Sequence, residues 1–254
     1  LRLNSRATRR NIPNEGRYKY IKGLDRSSGT GRVGYFAGCM TPLTPAVQRS
    51  MRKIFEAVGE DVWYADSDGG VCCGRPLMLT GETDASRRMM EANSAMIRKH
   101  GITTLVTPCP ICLKVFKENY SLGDVEVIHH TEYIDRLIAE GRLRLKGGDA
   151  TYTYHDPCEL GRGLGIYEAP RRVVASVGRL AEPKHSCRDA LCCGASLANT
   201  IIDDSQQLRI AQRMTTELEA TGCDTIITAC PLCNKSINIE SSGGGCSRDS
   251  GKKY

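Results

Sequence analysis

Two short phrases, "VCCGRP" at residues 71–76 and "LCCGAS" at residues 191–196, each set a pair of adjacent cysteines directly before a glycine. Laying one on the other shifts half of the chain by 120 residues. Cys39 then falls against Cys158 at an offset of 119, and "CPIC" (Cys109 to Cys112) against "CPLC" (Cys230 to Cys233) at 121. Three cysteine clusters that agree within one residue over such a distance mark an internal duplication. Whatever the fold, it is built twice, and each copy brings five cysteines to comparable places.

The segments between the clusters alternate. "RVGYFAGC" and "TYTYHDPC" are strand-like runs that end on a cysteine. Val47, Met51, Ile54, Phe55 and Val58 keep helical spacing, "DVWYAD" reads as a strand, and Ala85, Met89, Ala92 and Met96 mark a second helix. "TTLVTPC" is a strand running into "CPIC". In the second half "EAPRRVVASVG" and the stripe Ala211, Met214, Leu218 supply helices, and "DTIITACPLC" the matching strand. "VEVIHH" with "TEYIDRLIAEG" adds a strand and a helix bridging the halves. Strands alternating with helices predict an α/β architecture with largely parallel sheets. Methionines in these stripes read as core packing rather than ligands. The expected bounds are a basic arm or linker at 1–32, a first repeat domain at 33–147, a second at 148–240 and a disordered tail at 241–254.

In open parallel sheets, ligands collect at the carboxyl ends of the strands. Cys39, Cys109, Cys158 and Cys230 all stand where a predicted strand runs out, and Pro110 and Pro231 suit a first helical turn. Free N–H groups and partial positive charge at a helix N-terminus favour thiolate. Adjacent side chains on a straight strand point to opposite faces, so Gly74 and Gly194 are needed to bend the chain and aim both sulfurs of a pair at one centre. The expectation is five converging sulfurs per half: Cys39, Cys72, Cys73, Cys109 and Cys112, then Cys158, Cys192, Cys193, Cys230 and Cys233. Five exceeds what one tetrahedral zinc uses, and also the four thiolates of a cubane cluster.

The chain carries 13 cysteines in 254 residues. A disulfide scaffold is normally much shorter and even in count, and a chain this long can bury a full core, so metal or redox chemistry in a reducing compartment is expected. Four readings stand side by side: buried free cysteines packing as small hydrophobes, structural zinc, a thioredoxin-like dithiol at each C-P-x-C, and an iron–sulfur centre in each half. No apolar run approaches the roughly 20 residues that cross a bilayer. "LRLNSRATRR" has no apolar core of a signal peptide, and the opening Leu1 suggests a piece of a longer polypeptide. Residues 1–32 hold nine Lys or Arg against Glu15 and Asp25, which leaves the rest of the chain nearly neutral. That arm reads as a solvated linker or a docking segment for an acidic partner. It matches no nucleic-acid reader, so nucleic acid is not expected as a partner.

The arrangement C-x32-CCG-x34-C-P-x-C, then C-x33-CCG-x35-C-P-x-C, resembles the duplicated CCG, or cysteine-rich, domain over about residues 33–236. That domain occurs in one of the subunits of heterodisulfide reductase and in iron–sulfur subunits of anaerobic glycerol-3-phosphate dehydrogenase, glycolate oxidase and lactate-utilisation complexes. "YHDPCELGRGLGIYEAPRRV" is similar to the second-repeat opening of the lactate and glycolate type. The resemblance implies two α/β units related by a pseudo-twofold axis, each complete motif holding an unusual non-cubane 4Fe–4S cluster that binds and cleaves a disulfide. Zinc in one of the sites is the family's alternative. It also implies ferredoxin-type iron–sulfur and flavin subunits or domains as partners, a disulfide or quinone-linked substrate, and a cytoplasmic place, peripheral to the membrane's inner face through those partners. The chain lacks the CxxCxxCxxxC run that often precedes these domains; that module is expected upstream or on a separate polypeptide.

A few residues fall outside the register. His155 takes the place of Phe36 and is a weak candidate for a catalytic proton donor, with a plain loop contact as its alternative. His129 and His130 end a strand, where one of them packs. Cys223 reads as core, Cys246 as tail, and Cys187 stands close enough to the second CCG to approach its centre. Gly161, Gly163 and Gly165 read as a loop.

Overall fold

The computed structural model describes residues 31–40, 44–70, 72–195 and 202–239. The basic arm as far as residue 30, Cys246 and the tail 241–254 lie outside them. The chain divides after His130 into two compact units.

The first unit runs β1 (Val33–Tyr35), α1 (Pro45–Ala57), β2 (Val62–Tyr64), α2 (Arg75–Leu79), α3 (Thr83–Lys99), β3 (Thr104–Thr107), α4 (Pro110–Asn119) and β4 (Glu126–His129). Its four strands lie in the order β2-β1-β3-β4, every pair parallel. Parallel neighbours need long crossovers, and the helices supply them. From β1 the chain leaves to one side for β2, then returns past β1 to β3. The carboxyl ends of β1 and β3 thus flank the point where strand order reverses, the usual ligand crevice of such sheets.

The helix α5 (His130–Ala139) leads into β5 (Thr151–His155), α6 (Gly161–Leu164), α7 (Glu168–Ala175), β6 (Arg179–Leu180), α8 (Asp204–Glu219), β7 (Thr225–Thr228) and α9 (Pro231–Ile239). The second sheet has the order β6-β5-β7, again parallel. Its central strand β5 matches β1, and β7 matches β3. The α/β architecture expected from the alternation is present in both units.

Burial explains the elements. Tyr35, Phe55 and Tyr64 meet edge to face, with centroids 5.7 Å apart for Tyr35–Phe55 and 6.1 Å for Tyr35–Tyr64. Leu105 and Val106 are fully enclosed beside them. On α1, Gln48, Met51 and Phe55 form the inner face at helical spacing. Tyr154, Leu160, Met214 and Leu218 play the same part in the second unit. The start of α8 is fixed by a capping box, in which Gln206 N–H donates to Asp203 Oδ1 at 2.8 Å and Asp203 N–H to Gln206 Oε1 at 3.0 Å.

Two sequence expectations need correction. The inner face of α3 is Ser86, Asn93, Ser94 and Ile97, while Ala92 is exposed and Met89 and Met96 are half-buried. Apolar spacing alone points one residue away from the true face, because polar groups on α3 are buried to bond the cysteine loop. The glycines after Cys158 form a helical turn, α6, rather than a loop; Gly165 ends it at φ +72°. No helix among the described residues is long and apolar enough to cross a membrane.

Candidate metal-cluster sites

The central strands deliver the first cysteine of each set, Cys39 after β1 and Cys158 after β5. Strands β3 and β7 deliver the last two. Cys109 sits directly before α4 with Pro110 as its first helical residue, and Cys230 directly before α9 with Pro231. One turn on, Cys112 and Cys233 are each buried. Both adjacent pairs lie in irregular backbone, followed by Gly74 at φ +91° and Gly194 at φ +76°. This left-handed bend, open chiefly to glycine, is what turns the pair.

All ten sulfurs are thereby gathered into two strings. In the first, free thiols neighbour one another in the order Cys39, Cys72, Cys73, Cys112 and Cys109. In the second, the order is Cys158, Cys192, Cys193, Cys233 and Cys230, with Cys233 Sγ 3.2 Å from Cys193 Sγ. The segment carrying Cys39 passes close over the others: a Cβ on Gly38 would come 3.3 Å from Cys112 Sγ.

The electrostatics repeat as well. The first thiol of each adjacent pair ionises most readily. Hydrogen bonds from Cys39 and Cys73 hold Cys72 well below the ordinary thiol range, and the Gly74 N–H, 3.5 Å from its sulfur, adds to this. Bonds from Cys158 and Cys193 do the same for Cys192, with the Gly194 N–H at 3.4 Å. Their donors Cys39 and Cys158 are pushed up in return. Bonding from Cys233 lowers Cys230, helped by the free N–H groups of Leu232 and Cys233 at the start of α9. Buried sulfurs that can ionise need a positive partner.

The donor set is wholly sulfur, which selects thiophilic metals. Among the described residues no group of three or more His, Cys, Asp or Glu is arranged to hold a metal ion. Five sulfurs gathered in each unit are more than a single tetrahedral ion uses.

The sequence gives little sign of the residues that hold the cysteine loops in place. In the first unit Asn93 Nδ2 donates to Cys72 O at 2.8 Å and to Tyr120 Oη at 2.8 Å, and Tyr120 Oη donates to Cys73 O at 3.1 Å. In the second, Ser236 Oγ donates to Cys193 O at 2.6 Å and Gln207 Nε2 to Gly194 O at 2.8 Å. The only signal available was a buried position taken by a polar residue, which a single sequence does not reveal.

His155 is buried at the end of β5 with both ring nitrogens engaged. Nε2 lies 3.0 Å from Leu191 O and Nδ1 3.2 Å from Thr228 Oγ1. A carbonyl only accepts, so Nε2 carries the proton, and burial keeps the imidazole below its usual range and neutral. The ring thus bonds the residue before Cys192. Asp156 beside it accepts two bonds from Arg171, at 2.8 and 2.7 Å, and one from the Cys187 N–H at 2.8 Å. That last bond holds Cys187 at φ +55°, a left-handed conformation rare outside glycine. Cys187 is placed beside this ion pair. His129, buried at the end of β4, bonds Pro108 O at 3.2 Å, and Cys223 is buried, both as expected.

The Cysteine-rich domain family, CCG, matches twice, at residues 33–117 and 152–238. The chain is 31% identical to an uncharacterized iron–sulfur protein of Methanococcus maripaludis, over 81% of this chain and 41% of that protein. It is 30% identical to one of the subunits of the dihydromethanophenazine:CoB–CoM heterodisulfide reductase of Methanosarcina acetivorans, over 81% of this chain and 53% of the relative. It is 27% identical to the EtfAB:quinone oxidoreductase of Syntrophomonas wolfei, over 78% and 30%. The chain therefore spans about half or less of the length of these relatives.

Proposed function

The chain belongs to the CCG cysteine-rich domain family, and from that premise we propose that it is the cluster-bearing part of an iron–sulfur oxidoreductase that reduces a disulfide. One cluster, of the non-cubane 4Fe–4S kind, would be held by Cys39, Cys72, Cys73, Cys109 and Cys112, the other by Cys158, Cys192, Cys193, Cys230 and Cys233. The observation that carries this reading is the continuous five-sulfur string in each unit, with every cysteine of both matched repeats present. Each repeat domain, 33–147 and 148–240, would hold its own cluster.

Such clusters supply one-electron transfer. Splitting the substrate's S–S bond takes two electrons and two protons and releases two thiols. The electrons would come from ferredoxin-type iron–sulfur and flavin partners, a role in keeping with the chain's similarity to part of a heterodisulfide reductase. The chain's own residues hold the ligand loops: Asn93 and Tyr120 in the first unit, His155, Gln207 and Ser236 in the second. In this reading His155 is a positioning residue. A reducing, cytoplasmic setting keeps the thiols available for metal, with any membrane attachment made through partners.

A second reading is electron relay to a quinone-linked partner without a disulfide substrate, favoured by the likeness to an EtfAB:quinone oxidoreductase. The test is purification without oxygen, followed by iron and acid-labile sulfide counts, a visible spectrum, and disulfide turnover with an artificial electron donor. Two clusters with turnover support the first reading. Two clusters without turnover support the relay, and zinc without iron or sulfide overturns both.

A further inference from the structure

The two cysteine sets match in register but not in surroundings. Opposite Phe36, Ala37 and Met40 of the first half stand His155, Asp156 and Glu159 of the second, and opposite Leu43 stands Arg162. Each exchange puts an ionisable side chain where the other half has an apolar one, on the segment that leaves the central strand with the first cysteine. In the first unit Phe36 is buried edge-on against Phe116, with centroids 4.8 Å apart, and Met40 is buried beside Cys39. Only Cys39 of that set is partly accessible, and the thiol it touches, Cys72, is 3% exposed.

The second set is more open. Cys158 and Cys192, in contact with each other, are both half-buried. Glu159, next to Cys158, is half-buried. Arg162 is exposed, yet its Nη1 is tied to Arg188 O at 2.9 Å and to Ala190 O at 2.8 Å, two residues before Cys192. A long surface side chain normally keeps its rotamer freedom. This one is held at the approach to the cysteine pair.

Resting on the cluster reading above, we infer that the two sites divide the work: the set around Cys158 and Cys192 admits an exogenous thiol or one sulfur of a disulfide, and the set around Cys39 and Cys72 is closed and only passes electrons. An outside sulfur needs an accessible edge, which the adjoining Cys158 and Cys192 provide. A thiolate also sheds water on entry, a cost that the positive Arg162 side chain held at this edge reduces and an aromatic pocket does not. Solvent exposure and polarity shift cluster potentials too, so sites lined so differently hold their electrons at different potentials.

The test uses the full chain loaded with iron and sulfide without oxygen, reduced, and followed by electron paramagnetic resonance as 2-mercaptoethanol is added. About half of the cluster signal should shift in the intact chain. Cys72→Ser, which spares the second set, should keep the shifting part, and Cys192→Ser should lose it. Two clusters that shift alike, neither shifting, or a shift confined to the first set would overturn the inference while leaving the cluster reading intact. Absence of iron would overturn the cluster reading and this inference with it.

Discussion

At the scale of single residues, the least conspicuous side chains do the most specific work. Asn93 is an ordinary polar residue in the sequence, yet it is 2% exposed and satisfies two buried acceptors, the Cys72 carbonyl and the Tyr120 hydroxyl. Asn93→Ala leaves both without that donor and is expected to cost about 1–3 kcal/mol, read as a lower urea midpoint. Ala92, which apolar spacing places inside, is exposed, so Ala92→Ser should change stability by less than about 0.5 kcal/mol. Equal effects of the two substitutions would contradict this placement. The cysteines themselves were legible, because sulfurs repeated in a doubled register point to a shared centre in each half. Asn93, Tyr120, Gln207 and Ser236 were not, since nothing local distinguishes a buried amide or hydroxyl from a solvated one.

At the scale of elements, the turn behind each cysteine pair is the same device in two settings. Gly74 and Gly194 both take positive φ, which strains any residue with a Cβ by roughly 1–2 kcal/mol. Their neighbours differ. A Cβ on Gly194 would come 2.9 Å from the Gln207 carbonyl, whose backbone in α8 cannot yield. On Gly74 it would come 3.1 Å from Ser86 Oγ, a side chain that can rotate. Gly194→Ala should therefore lower the melting temperature more than Gly74→Ala; the reverse order would contradict this ranking. The helices that follow the strands were readable from Pro110 and Pro231. The face of α3 was not, because its burial is set by the loop it supports rather than by apolar period.

At the scale of the whole molecule, each five-sulfur string is contained in one compact unit, the first before His130 and the second after Thr131. Loss of one ligand should then empty one site alone. Cys109→Ser and Cys230→Ser are each expected to bring bound iron down to about half of the parent chain's, and the double substitution to bring it close to zero, measured by iron and acid-labile sulfide assay. Loss of all iron from either single variant would mean that the two sites load together. Because metal bound to the folded state adds to its stability, each single variant should also melt lower than the parent.

The sequence alone determined the duplication, the α/β alternation and the identity of the ten cysteines, because a repeated register and a two-period hydrophobic pattern survive any choice of packing. Only the tertiary structure decided which sulfurs come together, which side chains hold their loops and how differently the two sites are lined. Those depend on which residues from distant segments meet at the strand ends, as Asn93 meets Cys72 across 21 residues and His155 meets Leu191 across 36. Such meetings follow from sheet order and helix rotation, and neither is written in any one stretch of chain.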